Sequence, residues 1–176
     1  MSYDSEQSVE DKINELKKVL LKPQELKSLS EGSNIIILVI NPQQESFALQ
    51  LIKKKFPKSS LINCSKILLD SVEEYGIQNL RDDCEFSANL FLQDFAHFLF
   101  ENLKNTIIKG SIDYNLPFLY RVGLLNGIIR VNSLVESLAG CLQNPFIILY
   151  PGQKRDHTLT YLNGRHKTSV YRAYII

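Results

Sequence analysis

The stretch Asn34-Ile35-Ile36-Ile37-Leu38-Val39-Ile40-Asn41-Pro42 decides the fold. Six aliphatic residues in a row, most of them β-branched, are too few for a membrane helix and show no alternation. Such a run is expected of a strand covered on both faces, as in a parallel sheet. Asn41-Pro42 is read as stopping both strand and helix. Upstream, Ser8 to Leu21 has Val9, Ile13, Leu16, Val19 and Leu20 at helical spacing, with Ser8 as the cap and Asp11 three residues on. A second short helix follows Pro23 and ends at Glu31-Gly32-Ser33.

Downstream, helices and strands alternate. Glu45 to Phe56 reads as a helix, Ser60 to Asn63 as a strand, and Ser65 to Tyr75 as a helix closed by Gly76. Phe86 to about Ile108 reads as the longest helix, with Phe91, Phe95, Phe98, Leu99, Leu103 and Ile107 as a core face and Lys109-Gly110 as its end. Leu116 to Val122 is a third strand, Ser133 to Ala139 a helical stretch, and Phe146 to Tyr150 a fourth strand stopped by Pro151-Gly152. Thr158 to Leu162 and Val170 to Ile175 alternate, and the turn Asn163 to Ser169 would join them as a hairpin. The expected architecture is α/β. It is a three-layer sandwich with a mostly parallel central sheet of about four strands and an antiparallel C-terminal hairpin at its edge. Residues 1–32 are expected to be helices packing on or flanking the domain, and residues 33–176 a single α/β domain.

Length and composition agree. The chain has 176 residues, 44% hydrophobic and 22% charged, which is ordinary for a globular domain and excludes a coiled coil or a disordered chain. The acidic start MSYDSEQSVEDK is unlike a signal peptide, and reduced thiols fit a cytoplasmic location. Cys64, Cys84 and Cys141 match neither a zinc pattern nor a disulfide framework and read as structural thiols. The net charge of +1 hides an uneven distribution. Asp70 to Glu101 carries eight acids and one base, whereas Pro151 to Ile176 carries five bases and one acid. Opposite charge at two places favours protein partners or internal pairing. A nucleic-acid binder usually shows a basic excess over the whole domain, so direct nucleic-acid contact is not expected.

Ligands of parallel sheets bind beyond the carboxyl ends of the strands. Here those ends are Asn41-Pro42, Asn63-Cys64, Arg121-Val122-Gly123 and Tyr150-Pro151-Gly152. A phosphate-binding loop, a GxGxxG fingerprint and a GxSxG elbow are all missing, and the three histidines have no metal-ligand spacing. The chain is therefore expected to be non-catalytic, with no catalytic residue, metal or cofactor. Three features stand out. Arg121 ends a buried strand, where its fork suits either an internal acid or a carboxylate or phosphate ligand. Tyr150-Pro151-Gly152 turns at the same edge. Tyr171-Arg172-Ala173-Tyr174 carries residue types common in interface hot spots.

Taken together, these blocks resemble the BrxB family of BREX phage-defence systems. Phe118-Leu119-Tyr120-Arg121-Val122-Gly123 is similar to the family's RVG block, with Tyr120 where the family often has Ser or Thr. Arg130-Val131-Asn132-Ser133-Leu134-Val135-Glu136 resembles its R-x-x-x-L-L-E stretch. Pro145 to Gly152 ends in YPG, and Tyr171-Arg172-Ala173 matches a terminal YRA. The resemblance, over about Ile35 to Ile176, places Arg121, Gly123, Arg130, Tyr150, Pro151, Gly152 and Arg172 at family motif positions. It implies a non-enzymatic adaptor in a defence complex, bridging a PglZ-type alkaline-phosphatase-like protein and an AAA+ ATPase. The alternative expectation is a nucleotide- or nucleic-acid-binding module using Arg121 at the sheet's carboxyl edge.

Overall fold

The aliphatic run becomes β1 (Ile35–Ile40), every residue of which is buried. The structure is a computed structural model describing residues 7–113, 116–155, 158–161 and 166–176. Alternate side chains of β1 enter two different cores. Ile36, Leu38 and Ile40 pack with α1 (Val9–Leu20), α2 (Pro23–Leu29) and α3 (Glu45–Lys55) through Val9, Ile13, Leu16, Leu26, Ala48 and Ile52. Ile35, Ile37 and Val39 pack on the other side. Their neighbours come from α4 (Cys64–Tyr75), α6 (Ala88–Asp113) and α7 (Val131–Leu138), among them Ile67, Phe95, Leu99, Leu103, Leu134 and Leu138. The run is continuous because neither face of the strand meets water, and two helical layers therefore sandwich one sheet.

That sheet has five parallel strands in the order β2 (Ser60–Asn63), β3 (Pro117–Tyr120), β4 (Phe146–Pro151), β1, β8 (Tyr174–Ile175). β1 lies in register with β4 from Ile35–Phe146 to Ile40–Pro151, and with β8 at Ile36–Tyr174 and Ile37–Ile175. The α/β class with a parallel centre is thus as expected. The C-terminal strands are arranged differently. The antiparallel part is a separate sheet, β5 (Gln153–Arg155), β6 (Thr158–Tyr161) and β7 (His166–Ser169), in which β6 takes the centre. Part of the expected turn, His166 to Ser169, is therefore strand; residues 162–165 lie outside the described residues. The Val170 to Ile175 segment is not β6's partner. Val170, Ala173 and Ile175 are buried while Tyr171 and Arg172 are exposed, which imitates a half-wet strand. Its last residues instead extend the parallel sheet beside β1, where the Ile176 carbonyl accepts from the Val39 N–H at 2.9 Å.

Three local readings also change. Asn41-Pro42 stops β1 but starts a helix, because Asn41 Oδ1 accepts from the Gln43 N–H at 3.0 Å and Pro42 opens a 3₁₀ turn, Pro42–Gln44, that runs into α3. Gly110 lies inside α6 rather than at its end. The Ile62 side chain packs over it, so tertiary contact outweighs the cost of about 1 kcal/mol of a helical glycine. Between α4 and α6 lies α5 (Ile77–Phe86), a helix with no fully buried residue, whose Leu80 packs partly against the core. Gly76, at φ +92°, turns the chain from α4 into α5. The Ser8 cap is present: its Oγ accepts from the Asp11 N–H at 3.1 Å. Among the described residues no helix is long and apolar enough to cross a membrane.

Candidate functional site

The carboxyl ends of β1, β3 and β4 converge on a cleft of about 410 Å³ lined by Pro42, Glu45, Ser65, Arg121, Gly123, Leu124, Pro151 and Tyr161. Arg121 leaves β3 in the left-handed region, at φ +60°. That conformation is costly for a side chain bearing a Cβ and persists only where neighbours hold it. Two neighbours do. The Arg121 N–H donates to Glu45 Oε1 at 2.9 Å, and its guanidinium donates to Ser65 Oγ at 3.2 Å. The guanidinium carbon also stands 6.0 Å from the Tyr120 ring centroid. Among the described residues no acid ion-pairs with it. Glu45 takes the backbone N–H instead, and Arg121 is exposed.

Turning at Arg121 sends the chain into a 3₁₀ turn, Val122–Leu125, whose Gly123 lies under Tyr161 of β6. A Cβ at Gly123 would stand 2.9 Å from the Tyr161 hydroxyl and 3.2 Å from Pro151 Cγ. Gly152 is tighter still. A Cβ there would lie 2.1 Å from the Thr160 carbonyl oxygen and 2.9 Å from Tyr150 Cε1. The two glycines are thus close-approach positions, and Tyr161 and Thr160 of β6 fill what they leave open. Pro151 closes β4 opposite Ile40, and the Gly152 N–H donates to the Ile40 carbonyl at 2.9 Å. A missing N–H at Pro151 is tolerated because its nitrogen faces the β3 side, where the ladder with β4 ends at Leu119–Ile148.

A larger cavity of about 730 Å³ lies beside the cleft. Loop 126–130, the first turn of α7, Tyr150 and β7 surround it. Tyr150 is buried, and burial, with the nearby Tyr161 as a lesser cause, raises its phenol pKa. Arg130 and Lys167 supply exposed cations to the rim. Below the cleft, Cys64 is buried and its thiol is pushed up to about 12, first by burial and then by the Glu45 charge. Among the described residues no group of three or more His, Cys, Asp or Glu could hold a metal.

The structure therefore gathers Arg121, Gly123, Pro151 and Gly152 around the cleft, and Arg130 and Tyr150 around the neighbouring cavity. Arg172 stands apart. Its carbonyl accepts from Ser33 Oγ at 2.7 Å, just before β1 begins, so it lies at the amino end of the sheet. There its guanidinium meets Glu136 at 3.6 Å, a partly exposed pair of small energetic weight. Glu45, Ser65, Tyr161 and Lys167 also line these sites. Glu45 and Ser65 sit at helix starts, and the Asn41-Pro42 start signal marks the first of them. Tyr161 and Lys167 carry no local signal beyond an alternating strand.

A family model described as "BREX protein BrxB" matches residues 61–176. The match takes in β2 through β8 and both clefts' main walls, whereas β1 with Asn41-Pro42 precedes it. No curated protein and no solved structure matches the chain.

Proposed function

The chain belongs to the BrxB family of BREX proteins, and from that premise we propose that it is an assembly adaptor, joining a PglZ-type alkaline-phosphatase-like protein to an AAA+ ATPase of the same defence system. It needs no catalytic group of its own for this role. The observation that carries the reading is α5, which has no fully buried residue. Its exposed residues include Asp82 and Glu85, and it ends in Phe86, 83% exposed, the most exposed large hydrophobic side chain among the described residues. A helix of ten residues is marginal in water by itself. This one is held by Leu80 against the core, by Tyr75 donating to Asp83 Oδ2 at 2.6 Å, and by Asn79 donating to the Tyr75 carbonyl at 2.7 Å. Burying a phenylalanine is worth about 1.5–3 kcal/mol, and a partner that takes Phe86 gains that term. Exposed bases Arg155 and Lys167 sit on the separate antiparallel sheet, so the chain offers two faces of opposite sign on different elements. Arg165 lies outside the described residues.

The test is co-purification with the PglZ-type protein, read by size-exclusion chromatography with light scattering. Wild-type protein should co-elute, and Asp82→Lys combined with Phe86→Ala should abolish the complex with an unchanged circular dichroism spectrum. Normal complexes from that variant, and from Arg155→Glu with the ATPase, would refute the adaptor reading. A second reading, a nucleotide- or nucleic-acid-binding module, rests on the exposed Arg121 guanidinium, which forms no ion pair among the described residues. Salt-sensitive DNA or RNA binding that Arg121→Gln removes would move it to first place.

A further inference from the structure

We propose that the cavity between the first turn of α7 and β7 binds a phosphate-bearing small molecule, a property separate from adaptor assembly. Four observations converge there. First, a volume of about 730 Å³ falls within the 300–1,000 Å³ typical of small-molecule sites. Second, Arg130 and Lys167 reach it from different elements, and neither forms an ion pair with an acid among the described residues. The described lining contains no Asp or Glu, in contrast to the Arg121 cleft, where Glu45 would oppose an anion.

Third, α7 begins without a side-chain cap, since Arg130 occupies the N-cap position and offers no acceptor. The first amides of a helix have no partner within it, and they carry the positive end of its dipole. The turn bearing Asn132 and Ser133 forms part of the cavity wall. Fourth, Asn126 Nδ2 is a buried side-chain donor with no hydrogen-bond partner among the described residues, and Asn126 belongs to this wall; the equally orphaned Asn132 Oδ1 is an acceptor, which a donor on the organic part of the ligand, not its phosphate, would satisfy. An orphaned buried polar atom marks a place where a partner is missing. A phosphate dianion suits the set better than a carboxylate. It presents three terminal oxygens, enough to engage the guanidinium, the ammonium and the helix amides together. Polar donors at one end and the Tyr150 ring in the wall leave room for an organic group beyond the phosphate.

The experiment uses the full chain with sodium phosphate and adenosine monophosphate as probes, against sodium chloride at matched ionic strength. Thermal stability, calorimetry and ¹⁵N amide shifts are read together. The expected result is saturable stabilisation by a phosphate probe, with the amides of Asn132 and Ser133 moving most. Arg130→Gln should weaken binding about tenfold, the loss of one charge-assisted hydrogen bond. Ser133→Glu is the control for folding. A carboxylate in the first turn suits the helix dipole, so the fold should hold while anion binding disappears. Stabilisation no greater than in chloride, equal binding by Arg130→Gln, or shifts centred on Arg121 instead would overturn the proposal. Tight binding to DNA or RNA with no response to either phosphate probe would overturn it as well. Because partner assembly is scored on α5 variants, loss of the adaptor reading would leave this result untouched.

Discussion

Replacing Gly152 by alanine should be among the costliest single-methyl additions this protein can receive. The new Cβ would lie 2.1 Å from the Thr160 carbonyl oxygen. An ordinary carbon–oxygen approach is about 3.3 Å, so the backbone must open by about 1.2 Å. Thr160 is the β6 residue paired with Gln153 of β5. Moving it strains the ladder at its first pair, and one or two bonds lost there cost about 1–2 kcal/mol. The same Cβ stands 2.9 Å from Tyr150 Cε1, a fully buried ring with nowhere to swing, which adds an overpacking cost of about 1–3 kcal/mol. The expected loss is about 2–5 kcal/mol, a fall in Tm of roughly 10 °C for a domain of this size. Gly123→Ala is the matched control. Its obstacles are the ring end of half-buried Tyr161 and a proline Cγ, which can give way, so about 1 kcal/mol should suffice. Urea denaturation followed by circular dichroism measures both. A Gly152→Ala variant within 1 kcal/mol of wild type, or a costlier Gly123→Ala, would refute the backbone-obstacle argument.

Two further outcomes follow from the buried and hydrogen-bonded groups. In a thiol-labelling assay on native protein, Cys84 and Cys141 should react promptly, and Cys64 only on unfolding, because burial and the Glu45 charge hold its thiol near 12. The Tyr75 phenol is raised to about 12, first by its hydrogen bond to Asp83 and then by burial and the Asp83 and Asp94 charges. A raised pKa favours the neutral phenol in the folded state, so this contribution to stability is complete below about pH 10 and is lost as pH climbs towards 12. Spectrophotometric titration should show one tyrosine transition moving down in Asp83→Asn, and an unchanged titration would disprove the assignment.

How far the sequence announces this molecule depends on how much of each signal is local. The β1 run is legible because burial on both faces writes the same residue type at every position. The Ser8 cap is legible because its partner Asp11 lies within one turn, and the core face of α6 because burial repeats at helical spacing along it. α5 is hard to read because its core contact, partly buried Leu80, leaves too short a stripe to stand out among its charged residues. Gly110 misleads because a propensity cost of about 1 kcal/mol is small against the packing of Ile62 across it. The C-terminal strands mislead because Val170, Ala173 and Ile175 bury themselves at nearly alternate positions while belonging to a different sheet from β6 and β7. The candidate site is half legible. Arg121, Gly123, Tyr150, Pro151 and Gly152 stand at strand ends, where topology points. Glu45 and Ser65 reach Arg121 from 76 and 56 residues away, a pairing that only the folded chain can make.

That long-range pairing decides what Arg121 is for. An arginine ending a buried strand needs either an acid or a ligand, and Glu45 is close enough to be the acid. It spends its oxygen on the Arg121 backbone N–H instead, which fixes a left-handed turn that a non-glycine residue resists. The carboxylate therefore holds geometry, and the guanidinium is left facing outward over Ser65. Gly123, two residues on, can then slip beneath Tyr161, and Gly152 can meet Thr160 from the other side. The two glycines thus make the close contact that joins β6 to the carboxyl edge of the large sheet, and through its pairing with β6 that contact sets β7 in the wall of the α7 cavity. Loosening it at Gly152 should disturb the cavity as well as the stability. A Gly152→Ala protein that keeps wild-type phosphate binding while losing several kcal/mol would show that β7 is held there by something other than this turn.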